Sequence, residues 1–250
     1  MHEDGSKANG KTQRTGATGK RRRRLRAEER RESILKAANL VFGQRGYDTV
    51  RIDDVAAAAG ISKALIYEHF RSKQELYAEL MNRAALEMLD RIVAAGSAPG
   101  ISGSGRLEQG ATAGFGFVTE KPEAFQMFVR DVTDPEVAQQ QAALRRGAVA
   151  AMVGLMEMEP PSTRIGLERR NLEQLAEMVV GGFYALGDWW LRNRDADVSE
   201  LVSMMLSFMW LGLGRIQEGE RMGSLGVGGN EVADAENDSH ESLSRARPPA

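Results

Sequence analysis

There is no cysteine in this chain. Disulfide scaffolds, thiolate metal sites and cysteine nucleophiles are therefore excluded. Histidine is nearly as scarce: of His2, His69 and His240, two lie in polar ends. No histidine-based metal centre follows from that distribution, and neither a metal nor a cofactor is expected. Long apolar runs are missing as well. The most apolar stretch, Leu201–Gly214, has 14 residues, short of the roughly 20 that a membrane-spanning helix needs. No apolar segment precedes residue 33, so a secretory leader is not expected. The expected setting is cytoplasmic, with no membrane partner. Strand-type alternation is absent throughout. No nucleophile elbow, phosphate loop or metal-ligand cluster stands out. Glu173 and Glu177 have the i, i+4 spacing of ordinary solvent-facing helical glutamates. An enzyme is not expected.

What is present is charge, unevenly spread. The 250 residues carry a formal net charge of −2. Residues 1–26 nevertheless hold nine Lys/Arg against Glu3 and Asp4, including the run Arg21, Arg22, Arg23 and Arg24. Residues 217–250 are rich in Gly, Ser, Glu and Asp. Both ends lack apolar periodicity and are expected to be disordered: a basic arm over 1–26 and an acidic tail over 219–250. A basic arm on a folded domain suggests a polyanion partner, although a charge run can also be merely solvated.

Between the ends the periodicity is helical. Ile34, Ala38, Val41 and Phe42 mark one face of a first helix from about residue 27, which Gly46 ends. A second runs from about Ile52 to Ala59, with Asp53 and Asp54 in its first turn, where acids suit the helix dipole. Gly60 follows as a left-handed C-terminal residue, and Ser62 caps a third helix. Ser72 to Glu75 reads as a capping box opening a fourth helix, to about Ala94. Two short helices joined by a tight glycine turn have the form of a helix-turn-helix. Beyond a flexible break at 94–105, further helices are predicted over 106–119, 122–132 with Pro122 in first position, 134–157, 165–193 and 197–218. A Pro-Pro-Ser-Thr turn at 160–163 separates the last two from the rest.

The stretch GYDTVRIDDVAAAAGISKALIYEHFRSKQELY resembles the DNA-binding region of TetR-family transcriptional regulators, continuously over about residues 31–80. EKPEAF and the later GDWWLRN and FMWLGLG segments extend the likeness more weakly. The resemblance implies an all-α fold. A three-helix helix-turn-helix domain, here 27–75, precedes a helical effector-binding and dimerisation domain, here 76–218. It implies a sequence-specific repressor that binds a pseudo-palindromic operator as a dimer and is released by a small ligand. An activator of the same fold, or a non-specific architectural DNA binder, is the alternative.

Carried over by position, the resemblance puts Ser62, Lys63, Ala64, Leu65, Tyr67, His69 and Lys73 at double-stranded DNA. Lys63 suits guanine N7/O6 or a phosphate, Ala64 permits close approach, and Tyr67 and His69 can donate to phosphates. The rival readings are partial burial for Tyr67 and ordinary surface roles for His69, Lys63 and Lys73. Three residues depart from the family pattern. Arg51 stands where a capping Thr or Ser is common, losing about 1 kcal/mol of cap but offering a direct phosphate contact. Leu65 replaces a frequent threonine and can meet a thymine methyl. Glu68 can accept from cytosine N4. With such a domain downstream, Arg21–Arg24 can enter a minor groove or track phosphates.

The later helices carry apolar stripes. Val179, Phe183 and Trp190 on one, and Met204, Met205, Phe208 and Leu211 on the other, suit a two-fold four-helix dimer interface. The alternative is intramolecular core. Phe117, Phe125, Phe128, Met178, Tyr184 and Trp189 are candidates for lining the site of an unknown, apolar small-molecule effector, and ordinary core packing is the rival for each. Arg130 with Arg145 or Arg146 can hold an anionic head group or be merely solvated.

Overall fold

A computed structural model describes residues 13–158 and 169–217. Among them are nine helices and no strand: α1 Gln13–Arg45, α2 Ile52–Ala59, α3 Lys63–Tyr67, α4 Lys73–Gly96, α5 Gly103–Glu120, α6 Pro122–Val129, α7 Pro135–Glu157, α8 Arg169–Arg192 and α9 Val198–Gln217. The all-α expectation is met. One boundary differs sharply. The chain is helical from Gln13 rather than from about residue 27, which corrects the disordered-arm reading for residues 13–26. Arginine and lysine are good helix formers even without an apolar face, and this extension continues a helix already fixed downstream. The Pro-Pro-Ser-Thr turn and the tail beyond 217 lie outside the described residues.

The first helices are built as their residues dictate. Ile34, Ala38 and Phe42 of α1 meet Val55 and Ala56 of α2, Ile66 of α3, and Phe70, Leu76 and Tyr77 in a core that excludes water. Gly60 ends α2 at φ 66°, ψ 34°. Its N–H donates to the Ala57 carbonyl, and the Ile61 N–H donates to that of Ala56. This is the paired hydrogen bonding of a Schellman end, and it sets the direction in which α3 leaves. Ser62 Oγ accepts the Leu65 N–H. Ser72 Oγ accepts the Glu75 N–H, while the Glu75 carboxylate accepts the N–H of Arg71, one residue further back than a capping box requires.

Arg31 ties three elements together. Its guanidinium donates to the His69 carbonyl at 2.9 Å and to Glu79 on α4 at 2.5 Å. It also lies 4.2 Å from the Phe70 ring centroid.

The later helices meet this part along α6, which packs on α1, and along α4, which packs on α5 and α7. On α1, Gly43 lets the two helices touch: a Cβ there would fall 2.4 Å from Glu123 Cβ and 2.7 Å from its Cα. The loop after α6 is held by polar contacts. Asp134 caps α7 through the N–H groups of Glu136 and Val137. It also accepts from Tyr47 Oη at 3.2 Å and from Gln74 Nε2 at 3.0 Å. Thr133 donates its N–H and its hydroxyl to Asp48. Beyond α6 the packing is aromatic. Phe125 stacks on Tyr184 with ring centroids 5.8 Å apart and meets Phe183 edge-on at 5.7 Å. Phe115 meets Phe183 at 5.0 Å.

The residues to Ser207 form one unit, and Phe208 opens a second. The described part of that second unit, to Gln217, is helical. Among the described residues no helix is long and apolar enough to cross a membrane.

Candidate nucleic-acid interface

Helix α3 has two faces. Ile66, and Phe70 just after the helix, are buried. On the other side Ser62, Lys63, Ala64, Tyr67 and Glu68 are exposed, and Leu65 is half-buried. Tyr67 keeps 47% of its surface in solvent. Ser62 serves the helix as its cap. His69 is half-buried, and its carbonyl is committed to Arg31.

The charged groups on this face are not all free. Lys63 Nζ donates to Asp53 at 2.9 Å, an exposed pair joining α3 to α2. That hydrogen bond raises the lysine's pKa. Arg51 is exposed at the start of α2, and its side chain makes no cap. Asp54 partly replaces the missing hydroxyl by accepting the Arg51 N–H at 2.7 Å. Asp54 also pairs with Arg45. The Arg51 hydrogen bond, with help from Arg45, lowers the Asp54 pKa.

Lys73 differs from expectation. Its ammonium points inward, donating to the Tyr47 and Val50 carbonyls at 2.8 and 3.0 Å, and sits 4.0 Å from the Tyr47 ring centroid. Burial lowers its pKa. Two of its three donors thus brace the turn before α2, a role that spacing alone does not disclose. The helical positions Arg21–Arg24 fall within α1, but their side chains lie outside the described residues.

The aromatic and methionine candidates sort differently from the sequence reading. Val179, Phe183 and Trp190 are buried within this one chain, as is Met205. Trp190 Nε1 donates to the Ala196 carbonyl. Met178 and Trp189, assigned to a ligand site by sequence, instead face solvent at 66% and 41% exposure. Met204 on α9 is 56% exposed, and Phe208 is exposed as well. The outward Met178 and Trp189 stand next in sequence to the buried Val179 and Trp190, and all four are apolar, so residue type alone does not separate them. Phe117 and Phe125 are fully buried, Tyr184 is buried and Phe128 half-buried. Burial pushes the Tyr184 hydroxyl up to about 12. The Leu211 side chain lies outside the described residues. The three arginines separate: Arg130 lies against Gly46, and Arg145 lies 5.7 Å from the Tyr184 ring centroid. Arg146 borders a groove of about 450 Å³ between α7 and α8.

What spacing could not reveal are the long-range partners. Asp53 and Lys63 are ten residues apart, and Tyr47 and Asp134 are 87 apart. Only the run of two acids opening α2 offered a signal, and it was read as dipole chemistry.

Comparison with known proteins adds the following. Residues 34–80 match the family described as bacterial regulatory proteins, tetR family. Residues 104–212 match the one described as tetracyclin repressor-like, C-terminal domain. The HTH-type transcriptional activator FasR of Mycolicibacterium smegmatis is 30% identical over 204 residues, spanning 80% of this chain and 90% of that protein. The HTH-type transcriptional repressor BepR of Brucella suis is 38% identical over 64 residues, 26% of this chain and 31% of BepR. A TetR-like transcriptional regulator from Rhodococcus sp. RHA1 superposes with a TM-score of 0.62 at 25% identity, over 74% of this chain and 96% of that one.

Proposed function

Because this chain belongs to the TetR family of DNA-binding transcriptional regulators, we propose that it reads a pseudo-palindromic operator as a homodimer and that a small apolar effector changes that binding. The observation that carries the reading is the outward face of α3. Lys63, Ala64 and Tyr67 project from a helix held by Ile66 and Phe70. A short helix anchored on one side with donors on the other suits a major groove. Arg51, Leu65 and the arginines at 21–24 are assigned supporting contacts to backbone and bases, and His69 a phosphate contact. Lys73 is assigned one residual donor.

The proposed dimer face uses the exposed residues, Met178, Trp189 and Met204, in place of the buried stripe. Leu186, Trp189, Leu201 and Met204 border a groove of about 440 Å³ into which a second copy's side chains can pack. Replacing Trp189 with glutamate is expected to turn a dimer into a monomer in analytical ultracentrifugation and to remove the concentration dependence of the melting temperature, because a partner that binds only the folded protomer stabilises it by mass action. A dimer that persists would place the interface elsewhere.

The effector is assigned to the aromatic cluster of Phe125, Phe128 and Tyr184. Its entry parts these rings and displaces α6. The Gly43–Glu123 contact and the Asp134 bridge then pass the displacement to α1 and α4.

Repression by occluding a promoter is the first reading of the output. The name of FasR, the relative matched over most of its length, favours activation as the second. In vitro transcription from a promoter carrying the site separates them. The test of the whole proposal is selection of bound duplexes from a random pool. Enrichment of two inverted half-sites spaced by about one helical turn or a multiple is expected. A pool with no enriched sequence would sink it.

A further inference from the structure

The pairing of Lys63 with Asp53 has no structural task that other groups leave undone. Asp54, not Asp53, accepts the N–H at the start of α2. Ser62, not Lys63, caps α3. The turn between the helices is fixed by Gly60 and its hydrogen bonds. An exposed ion pair adds little stability of its own, and here both side chains are well exposed. Its consequence falls on the surface that faces DNA. A lysine on a flexible stem is a mobile point charge that satisfies any phohphate within reach, whatever the sequence. Paired with Asp53 at 2.9 Å, the same ammonium has one donor committed, two left over, and a favoured place at the first turn of α3.

Resting on the DNA-binding reading of α3, we infer that Asp53 is a positioning residue for specificity: it restrains Lys63 so that the lysine serves one base-edge position and is withheld from indiscriminate phosphate contact. Asp53 touches no base in this scheme and acts through Lys63. Removing its charge releases the lysine to phosphates. Sequence-independent affinity rises, and the advantage of the true site over random DNA shrinks.

The test uses the full chain and two probes, the duplex enriched from the random pool and a random-sequence duplex of equal length, titrated between 50 and 200 mM salt (a span of about 10³–10⁵ in affinity for a binder making many phosphate contacts). Asp53→Asn is expected to bind the random duplex several-fold more tightly and to steepen its salt dependence by about 0.9 log units per log unit of salt, the signature of one added phosphate contact. Its preference for the enriched duplex should fall by a similar factor. Asp53→Glu keeps the charge and should stay near wild type. In a Lys63→Met background the Asp53→Asn change should leave the slope where it was, because the cation it releases is gone. A slope increment that survives in that background would show Asp53 acting as an independent repulsive charge and overturn the inference. An unchanged slope in Asp53→Asn alone would overturn it too. Wild-type protein with no preference between the two duplexes would instead overturn the reading of α3 itself, and this inference with it.

Discussion

Replacing Phe125 with alanine is expected to lower stability by about 3–5 kcal/mol, the usual cost of emptying a large aromatic site in a core. Phe125 is fully buried and contacts Phe128, Phe183 and Tyr184. The ring fills the space directly against the α8 backbone. A Cβ on Gly187 would lie 2.5 Å from the Phe125 ring. For a domain of this size each kcal/mol moves the melting temperature by roughly 2–4 °C, so calorimetry or thermal circular dichroism should show a large downward shift. A companion variant sharpens the reading. Gly187→Ala overpacks the same contact in the wild type but has room when residue 125 is alanine. The two changes together should cost less than their separate effects summed. Strict additivity would mean that the α6–α8 contact is looser than these distances indicate.

Gly43→Ala is the second large effect, and its sign is the informative part. Inside a helix with open space, alanine is better than glycine by roughly 0.5–1 kcal/mol. Gly154 in α7 is such a position, with nothing within 4 Å of a built Cβ, so Gly154→Ala should raise the melting temperature slightly. At Gly43 the added methyl meets the Cβ and backbone of Glu123, and backbone does not swing aside as a side-chain tip does. Overpacking of that kind costs about 1–3 kcal/mol. Gly43→Ala is therefore expected to lower the melting temperature and to shift DNA affinity, since α1 also holds the helix-turn-helix through Arg31. A stabilised Gly43→Ala protein would show that α6 does not rest on α1, and the proposed route from effector to DNA would lose its first step.

How much of this was legible in the sequence varies with the range of the interaction. The second and third helices, the left-handed Gly60 and the caps at Ser62 and Ser72 are written within four residues of themselves, and local chemistry suffices to find them. The start of α1 was missed because apolar periodicity marks burial, and a helix rich in arginine needs none. The stripe of Val179, Phe183 and Trp190 is legible on α8, but local pattern cannot tell an intramolecular core from a dimer seam, and Met178 and Trp189, apolar neighbours of that stripe, give no local sign that they face outward. Lys73 is placed at DNA by its position in the family resemblance, and nothing local to it contradicts that. Only the fold brings the Tyr47 and Val50 carbonyls to it. Asp134 gives no sign in the sequence of its bridging role, because its partners Tyr47 and Gln74 lie far back in the chain.

The turn at Gly60 has a consequence for how such a protein can acquire a new target. Its Schellman hydrogen bonds and left-handed φ fix the number of residues between α2 and α3, while a side chain at Gly60 would meet nothing within 4 Å. The crossing is constrained by backbone geometry and not by crowding. Lengthening or shortening it by one residue would break the hydrogen-bond pair and swing every outward group of α3 at once. Descendants of this sequence are therefore expected to diverge in preference by exchanging letters at positions 63, 64, 65 and 67, with the spacing between the two helices inherited unchanged.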